Sequence, residues 1–206
     1  MIDLLVVDDH TIFRAGMARL MADETDVRVV AEAADGASAL ALIRTVAVHV
    51  VLLDINMAGR NGLETLGAIR AEWPRLPVIM LSMYVEPQYA RLALRGRANA
   101  YLSKDVSPDE LLRAIRHVAC GGIWVTPGFG APGAQAASGH AHEQLTPREY
   151  EIMLKIAHGQ SLTDIGSQLC LSVKTIGSHR SRVLDKLGVG SNAEIVQYAM
   201  RQGLLD

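Results

Sequence analysis

Cysteine is scarce in this chain: Cys120 and Cys170 are the only two among 206 residues. They stand far apart, each beside apolar neighbours. A disulfide framework and a CxxC-type metal site are therefore excluded, and both thiols are expected to be buried in a reducing cytoplasm. Long apolar runs are absent too. The densest, Leu4–Val7, Val50–Leu53 and Val78–Leu81, fall far short of the roughly eighteen residues a membrane span needs. Met1-Ile2-Asp3 leads into a strand-like run without a basic stretch or cleavage site, so no secretory signal is expected and the chain is read as cytoplasmic. Nor is there an excess of charge. The net value is −2, which excludes a strongly basic coat for nucleic acid.

The near-zero total hides a local patch. Lys174, Arg180, Arg182 and Lys186, against Asp185 alone, leave a surplus of positive charge on one short segment. A basic helix on an otherwise neutral protein suits weak, dimerisation-dependent DNA binding, although charge by itself fits a solvated helix face equally well.

The first 120 or so residues alternate between two hydrophobic periods. Ile2–Val7, Val27–Ala33, His49–Leu53, Pro77–Leu81 and Ala98–Leu102 read as strands. Helical patterns fall between and after them, at about 10–22, 36–45, 62–72, 86–95 and 107–119. This alternation predicts an α/β fold: a doubly wound, flavodoxin-like (βα)5 unit with a five-stranded parallel sheet covered on both faces. Ser107-Pro108-Asp109-Glu110 is a helix start, and Gly121-Gly122 a helix end. Beyond Val125 glycine, proline and alanine dominate, which reads as a flexible linker. From Gln144 four short helices are expected, opened by Thr146-Pro147-Arg148-Glu149, Ser161, Ser172 and Ser191. The expected division is 1–121, linker 122–143, and a small all-α domain over 144–206.

In an open parallel sheet, ligands sit beyond the carboxyl ends of the strands. Asp8 and Asp9 fall there after the first strand, Asp54 after the third, Ser82 after the fourth and Lys104 after the fifth. Three converging carboxylates repel one another unless a cation joins them, and an all-oxygen donor set suits Mg²⁺. A lysine and a hydroxyl opposite would bind an anion. Together these groups describe a carboxylate nucleophile that accepts a phosphoryl group.

Val6-Val7-Asp8-Asp9-His10, Leu53-Asp54-Ile55-Asn56-Met57, Leu81-Ser82-Met83 and Tyr101-Leu102-Ser103-Lys104-Asp105 resemble the receiver domains of bacterial two-component response regulators. The stretch from Leu145 resembles the LuxR-type helix-turn-helix. The whole chain, apart from the linker, is similar to a NarL/FixJ-type response regulator. The resemblance implies that Asp54 is the phosphoacceptor. It implies that Asp9, Asp54 and the main-chain carbonyl of Asn56 hold Mg²⁺, with Asp8 supporting the ion indirectly. Lys104 would pair with the phosphoryl oxygens, and Ser82 and Tyr101 would form the switch; Tyr101 also reads as an ordinary half-buried strand aromatic. The implied partners are a sensor histidine kinase, promoter DNA, and a second copy of the chain once phosphorylated or bound to DNA.

This sequence departs from the family pattern at three places. Ala58-Gly59 stands where Pro-Gly is common, Asn61 where Asp is common, and Arg97 where glycine is common. An arginine in a left-handed turn costs about 1 kcal/mol relative to glycine, unless Gly96 takes the cap instead.

The helix 173–187 has Ile176, His179, Val183, Leu184 and Leu187 at helical spacing on an inward face. Lys174, Gly177, Ser178, Ser181, Arg182 and Asp185 lie opposite. Such a helix fits a major groove, with the preceding short helix crossing the backbone. By resemblance, Gly177, Ser178 and Ser181 would meet base edges, while Lys174, Thr175, Arg180 and Arg182 would contact backbone or flanking bases. His179 reads as a packed core residue, and His140 and His142 as solvated loop histidines. Val189, Ile195, Val196 and Tyr198 would complete the helical core.

Two other readings stand beside this one. A phosphatase of the haloacid-dehalogenase type also uses an Asp nucleophile with Mg²⁺, but would need a second Asp at position 56, where Asn56 stands, and a cap domain that is not visible. A degenerate receiver that binds DNA without phosphorylation is the remaining alternative. The expected function is therefore a DNA-binding transcription regulator rather than an enzyme.

Overall fold

Val50-Val51-Leu52-Leu53 has no polar position to turn toward water, and in the computed structural model this run lies fully buried in the interior of a sheet. The structure describes residues 1–57, 61–83, 87–124 and 140–205, with the side chains of residues 87 and 88 left aside. The chain divides into two compact units, whose border between Ala134 and Gln135 lies outside the described residues.

In the first unit, strands β1 (Ile2–Val7), β2 (Val27–Ala33), β3 (Val50–Asp54), β4 (Val78–Ser82) and β5 (Ala100–Ser103) form one parallel sheet. Their order is β2-β1-β3-β4-β5. Helices α1 (Thr11–Ala22), α2 (Gly36–Thr45), α3 (Gly62–Glu72), α4 (Pro87–Arg95) and α5 (Pro108–Ala119) follow the strands in turn. The later three strands start and end one or two residues beyond the expected runs, so Asp54 and Ser82 are the last residues of their strands rather than the first beyond them.

Side chains alternate across a strand, and the core shows it. Leu4, Val6, Val50, Leu52, Ile79, Leu81, Ala100 and Leu102 cluster with Met21 of α1 and Leu111, Ile115 and Val118 of α5. The alternate residues, Leu5, Val7, Val51, Leu53, Val78, Met80 and Tyr101, are also buried. Helices α2, α3 and α4 cover that other face. Tyr101 is therefore a fully buried strand residue, only 3% exposed, rather than half-buried.

Local chemistry sets the helix ends. Asn61 caps α3, its side chain accepting from the amides of Leu63 (2.7 Å) and Glu64 (3.4 Å). This explains why asparagine serves where Asp is common, because either oxygen can cap a helix. Ser107 caps α5, with Pro108 inside the first turn. Arg97 takes φ +64° itself, so Gly96 does not relieve it of the left-handed turn. The Arg97 carbonyl accepts from Arg70 Nε at 2.9 Å, which anchors that turn to α3. Ala58 and Gly59 lie outside the described residues.

The second unit contains α6 (Pro147–Ala157), α7 (Leu162–Gln168), α8 (Val173–Leu187) and α9 (Asn192–Arg201), preceded by a 3-10 turn at Ala141–Gln144. Thr146 and Glu149 close a capping box at α6. Tyr150, Ile152, Met153, Ile165, Ile176, Val183 and Ile195 are each at most 0% exposed and make the core, with Tyr198 and Ala199. Val189, Leu184, Val196 and His179 are only partly buried.

Two expectations are corrected here. Both cysteines are exposed, not buried. Each sits at a helix end, Cys120 as the C-cap of α5 and Cys170 just past α7 at φ +52°, where the chain turns outward. His142 is not a solvated loop residue: it is 5% exposed, and its amide donates to the Tyr198 hydroxyl at 3.1 Å while Nδ1 lies 2.9 Å from the same oxygen. Of the linker, residues 125–139 lie outside the described residues. At its start the Trp124 amide donates to the Asn99 carbonyl at 2.8 Å, beside an isolated bridge to Ala100.

Candidate functional site

The sheet register gathers the acidic residues. Val7 pairs with Leu53 and Leu53 with Met80, which brings the carboxyl ends of β1, β3 and β4 level. Asp8 and Asp54 have the same parity as Val6 and Leu52, so both side chains leave the sheet on the side covered by α1 and α5. Both are 1% exposed. Ser82, fully buried, ends β4 opposite Ser103, and its carbonyl accepts from the Lys104 amide at 2.8 Å. Main-chain pairing thus delivers Lys104 to the acids.

The Lys104 ammonium lies 2.7 Å from Asp8 Oδ2 and 2.9 Å from Asp54 Oδ2. It also stands over the Phe13 ring of α1, 4.7 Å from the centroid. A buried cation between two carboxylates and an aromatic face is held by charge and by the ring quadrupole together. Burial pushes the Asp54 carboxyl up to about 6; Lys104 opposes that rise, Asp8 adds to it, and the Asn56 amide opposes it. Asp54 thus remains mostly ionised at neutral pH.

Asp54 Oδ1 is sealed from water and has no hydrogen-bond partner among the described residues. Carboxylate oxygens of Asp8, Asp9 and Asp54 and a ring nitrogen of His10 all lie within 4.8 Å of one another. A buried orphan oxygen inside a cluster of hard donors fits a divalent cation. Asn56 is the second residue beyond β3, after buried Ile55, and is partly exposed.

Three neighbours were not singled out in the sequence. Phe13 is the first. Arg14 is the second: its guanidinium donates to the Asp8 carbonyl at 2.6 Å and pairs with Glu32 at 3.3 Å, which fixes the end of β1. Gly62 is the third. A Cβ there would stand 1.9 Å from the Asp54 carbonyl oxygen, so only glycine lets α3 start against the end of β3. Helix periodicity marks Phe13 as apolar and nothing more; its contact with Lys104 joins residues about ninety positions apart, which no local pattern reports.

In the second unit α8 exposes Lys174, Ser178, Ser181, Arg182 and Asp185 along one face, as spaced for a groove-reading helix. Ser178 and Ser181 donate their hydroxyl hydrogens to the carbonyls of Lys174 (3.1 Å) and Gly177 (3.2 Å), leaving lone pairs outward. Neither the Lys174 ammonium nor the Arg182 guanidinium has an ion-pair or hydrogen-bond partner among the described residues. Thr175 is partly buried and shares a 2.8 Å hydroxyl contact with the cap residue Ser172. Arg180 is placed apart from the exposed face: its Nε donates to Asn192 Oδ1 of α9 at 2.5 Å. Below the helix, Arg148 and Glu151 pair at 2.8 Å and Lys186 meets buried Glu149 at 2.5 Å. Burial works to raise the Glu149 carboxyl, but Lys186 and Thr146 hold it below its ordinary value.

Comparison with known proteins agrees with both units. Residues 4–116 match the family described as the response regulator receiver domain, and residues 143–199 match bacterial regulatory proteins of the luxR family. The chain is 38% identical to the transcriptional regulatory protein UhpA of Escherichia coli over 96% of this chain and 97% of that one. It is 36% identical to the Escherichia coli response regulator UvrY, covering 99% and 96%. It is 33% identical to the response regulator GacA of Pseudomonas protegens, covering 100% and 99%. Among solved structures, RcsB from Salmonella enterica serovar Typhimurium, bound to a promoter in the presence of a phosphomimetic, superposes with a TM-score of 0.65 at 24% identity. That match covers 97% of this chain and 99% of RcsB, and speaks to the fold. A LuxR-family two-component response regulator from an Aurantimonas species matches at 31% identity and a TM-score of 0.59, over 62% of this chain and 91% of its own.

Proposed function

The chain belongs to the two-component response regulators of NarL/FixJ type, DNA-binding transcription regulators that join a receiver domain to a LuxR-type helix-turn-helix, and from that membership we propose that phosphorylation of Asp54 controls its binding to promoter DNA. Its relatives are regulators rather than enzymes, so the phosphatase reading falls away. We divide the chain as 1–121, 122–143 and 144–206, for receiver, linker and DNA-binding domain.

The observation that carries the proposal is Asp54 itself. It is buried, its Oδ2 is paired with Lys104 at 2.9 Å, and its Oδ1 has no hydrogen-bond partner among the described residues. An Asp54 oxygen attacks the phosphorus of a donor, forming an oxygen–phosphorus bond while the donor's bond to phosphorus breaks and its leaving group departs. The donor in the cell is a sensor histidine kinase. Lys104 then meets the phosphoryl oxygens that arrive at the carboxylate it already contacts. Asp9, Asp54 and the Asn56 carbonyl hold Mg²⁺, and Asp8 supports it indirectly. The ion supplies charge neutralisation for the transferred group. Ser82 offers its hydroxyl to the same oxygens, and Tyr101 on the opposite face of the sheet changes its rotamer in step. A phosphoryl group adds roughly −1.5 to −2 charge, ample to bias such a switch.

Lys174, Ser178, Ser181 and Arg182 form the exposed reading surface, with Gly177 and Thr175 at its margins. Arg180 reaches DNA only by releasing Asn192. Two copies assembled after phosphorylation read paired half-sites, which suits a modest basic patch. None of the helices described is long and apolar enough to cross a membrane.

Intact-mass measurement after incubation with Mg²⁺ and a small phosphodonor tests the acceptor assignment. A phosphoryl-sized increment is expected on the native chain and none on Asp54→Asn. An increment that survives on Asp54→Asn would place the acceptor elsewhere.

A further inference from the structure

Ser172, not Val173, caps α8: its hydroxyl oxygen accepts from the Thr175 amide at 3.1 Å. Val173 follows as the first helical residue, a β-branched type that gives up side-chain freedom in a helix. It is 48% exposed, while every other large apolar side chain of α8 is buried or partly buried. Its main chain is nevertheless held. A Cβ on Gly166 of α7 would stand 2.9 Å from the Leu171 carbonyl oxygen and 3.8 Å from the Val173 amide nitrogen. Glycine there lets α7 close against the start of α8.

At 3.6 residues per turn, Val173, Gly177 and Ser181 form one row along α8, and Lys174, Ser178 and Arg182 the next. The first row is nearly flat. Gly177 faces open space, and Ser181 turns its hydroxyl hydrogen back to the Gly177 carbonyl at 3.2 Å. Val173 is the apolar projection of that row. The second row supplies charge: Lys174 and Arg182 are exposed cations, and no carboxylate stands between them. The complement of such a surface carries phosphates and an isolated methyl group. The major groove of DNA has both, because each thymine displays its C5-methyl there.

We propose that Val173 is a base-reading residue: its methyl groups pack on the C5-methyl of a thymine in each half-site, selecting a T·A pair at one position without a hydrogen bond. The inference rests on the reading of α8 as the helix that enters the major groove. Gly177 and the two back-bonded serines offer room for close approach rather than hydrogen-bond donors. Apolar contact therefore carries discrimination that hydrogen bonding does not.

The full chain, treated with Mg²⁺ and a small phosphodonor, is first used to select sites from a randomised duplex library. Each thymine of the enriched half-site is then replaced in turn by uracil, which removes the methyl and keeps every hydrogen-bonding group. One position is expected where uracil weakens native binding about fourfold per half-site, the worth of one buried methyl. Val173→Ala should bind the thymine duplex about as weakly as the native chain binds uracil, and should not distinguish the two bases there. Val173→Ile keeps branched methyl surface and should keep the preference. Val173→Ala should fold, because Ser172 makes the cap, and thermal unfolding checks that. Lys174→Ala gives the contrast, weakening binding to thymine and uracil duplexes equally. A native chain indifferent to uracil at every thymine, or a Val173→Ala chain with native sensitivity at the same position, would overturn the Val173 assignment and leave α8 as the DNA-reading helix. A native chain that neither enriches a site nor binds the library would remove the reading of α8 together with this inference.

Discussion

Lys104 meets two carboxylates at once, and that single contact sets the electrostatics of the receiver pocket. Without it, Asp8 and Asp54 would be buried beside each other with like charge. Even with it, burial leaves Asp54 with a carboxyl raised to about 6. The folded chain therefore binds this proton more tightly than the unfolded chain does, whose Asp titrates near 3.9. The contribution of Asp54 to stability is most favourable below about pH 4, falls as the pH rises to 6, and stays low above it. Two pKa units correspond to about 3 kcal/mol. In a chelator, Asp54→Asn should accordingly stabilise the receiver at pH 8, by about 1 to 3 kcal/mol, and flatten the loss between pH 4 and 6. Denaturant unfolding followed by tryptophan fluorescence checks this cleanly, because the only two tryptophans, Trp73 and Trp124, both belong to the first unit. Equal midpoints for the two proteins at pH 8 would contradict the buried-charge account.

At the scale of the element, α8 separates the roles of two arginines that stand two positions apart in the sequence. Arg182 faces solvent, whereas Arg180 bonds to Asn192 and ties α8 to the start of α9. Arg182→Ala should weaken DNA binding across sequences and reduce the salt slope by about 1, the signature of one lost phosphate contact. Arg180→Ala should leave the slope unchanged and lower the stability of the helical unit by about 1 kcal/mol, from the lost hydrogen bond. Binding isotherms at several salt concentrations, with thermal unfolding alongside, separate the two roles. If the slope drops for Arg180→Ala instead, its bond to Asn192 breaks on DNA. The same lesson holds at the turn before β5. Arg97 was legible as a residue in the wrong conformation, but its tolerance comes from the Arg70 guanidinium that bonds its carbonyl, Leu76 and Asn99 from a distant helix.

At the scale of the whole molecule, the proposed function requires one phosphoryl group to change what a second domain does. Assembly into dimers would achieve this without any new contact to DNA, because linking two readers raises the local concentration of the second. Phosphodonor and Mg²⁺ should therefore raise affinity for a fragment with two half-sites by at least about tenfold, with little change on a single half-site. Sedimentation and DNA titration of native chain and Asp54→Asn test this, and equal gains on one and two half-sites would speak against a dimer.

Much of this protein was written in local patterns. Strand and helix order, the caps at Ser107, Thr146, Ser161, Ser172 and Ser191, and the acidic strand ends all follow from nearest neighbours along the chain, and the structure places them within a residue or two. Distant pairing is another matter. Phe13 beneath Lys104, Arg14 on the Asp8 carbonyl, His142 against Tyr198 and the exposure of both cysteines depend on which elements meet in space. Periodicity records whether a residue faces inward or outward. Only the assembled sheet and its covering helices decide which partner waits there.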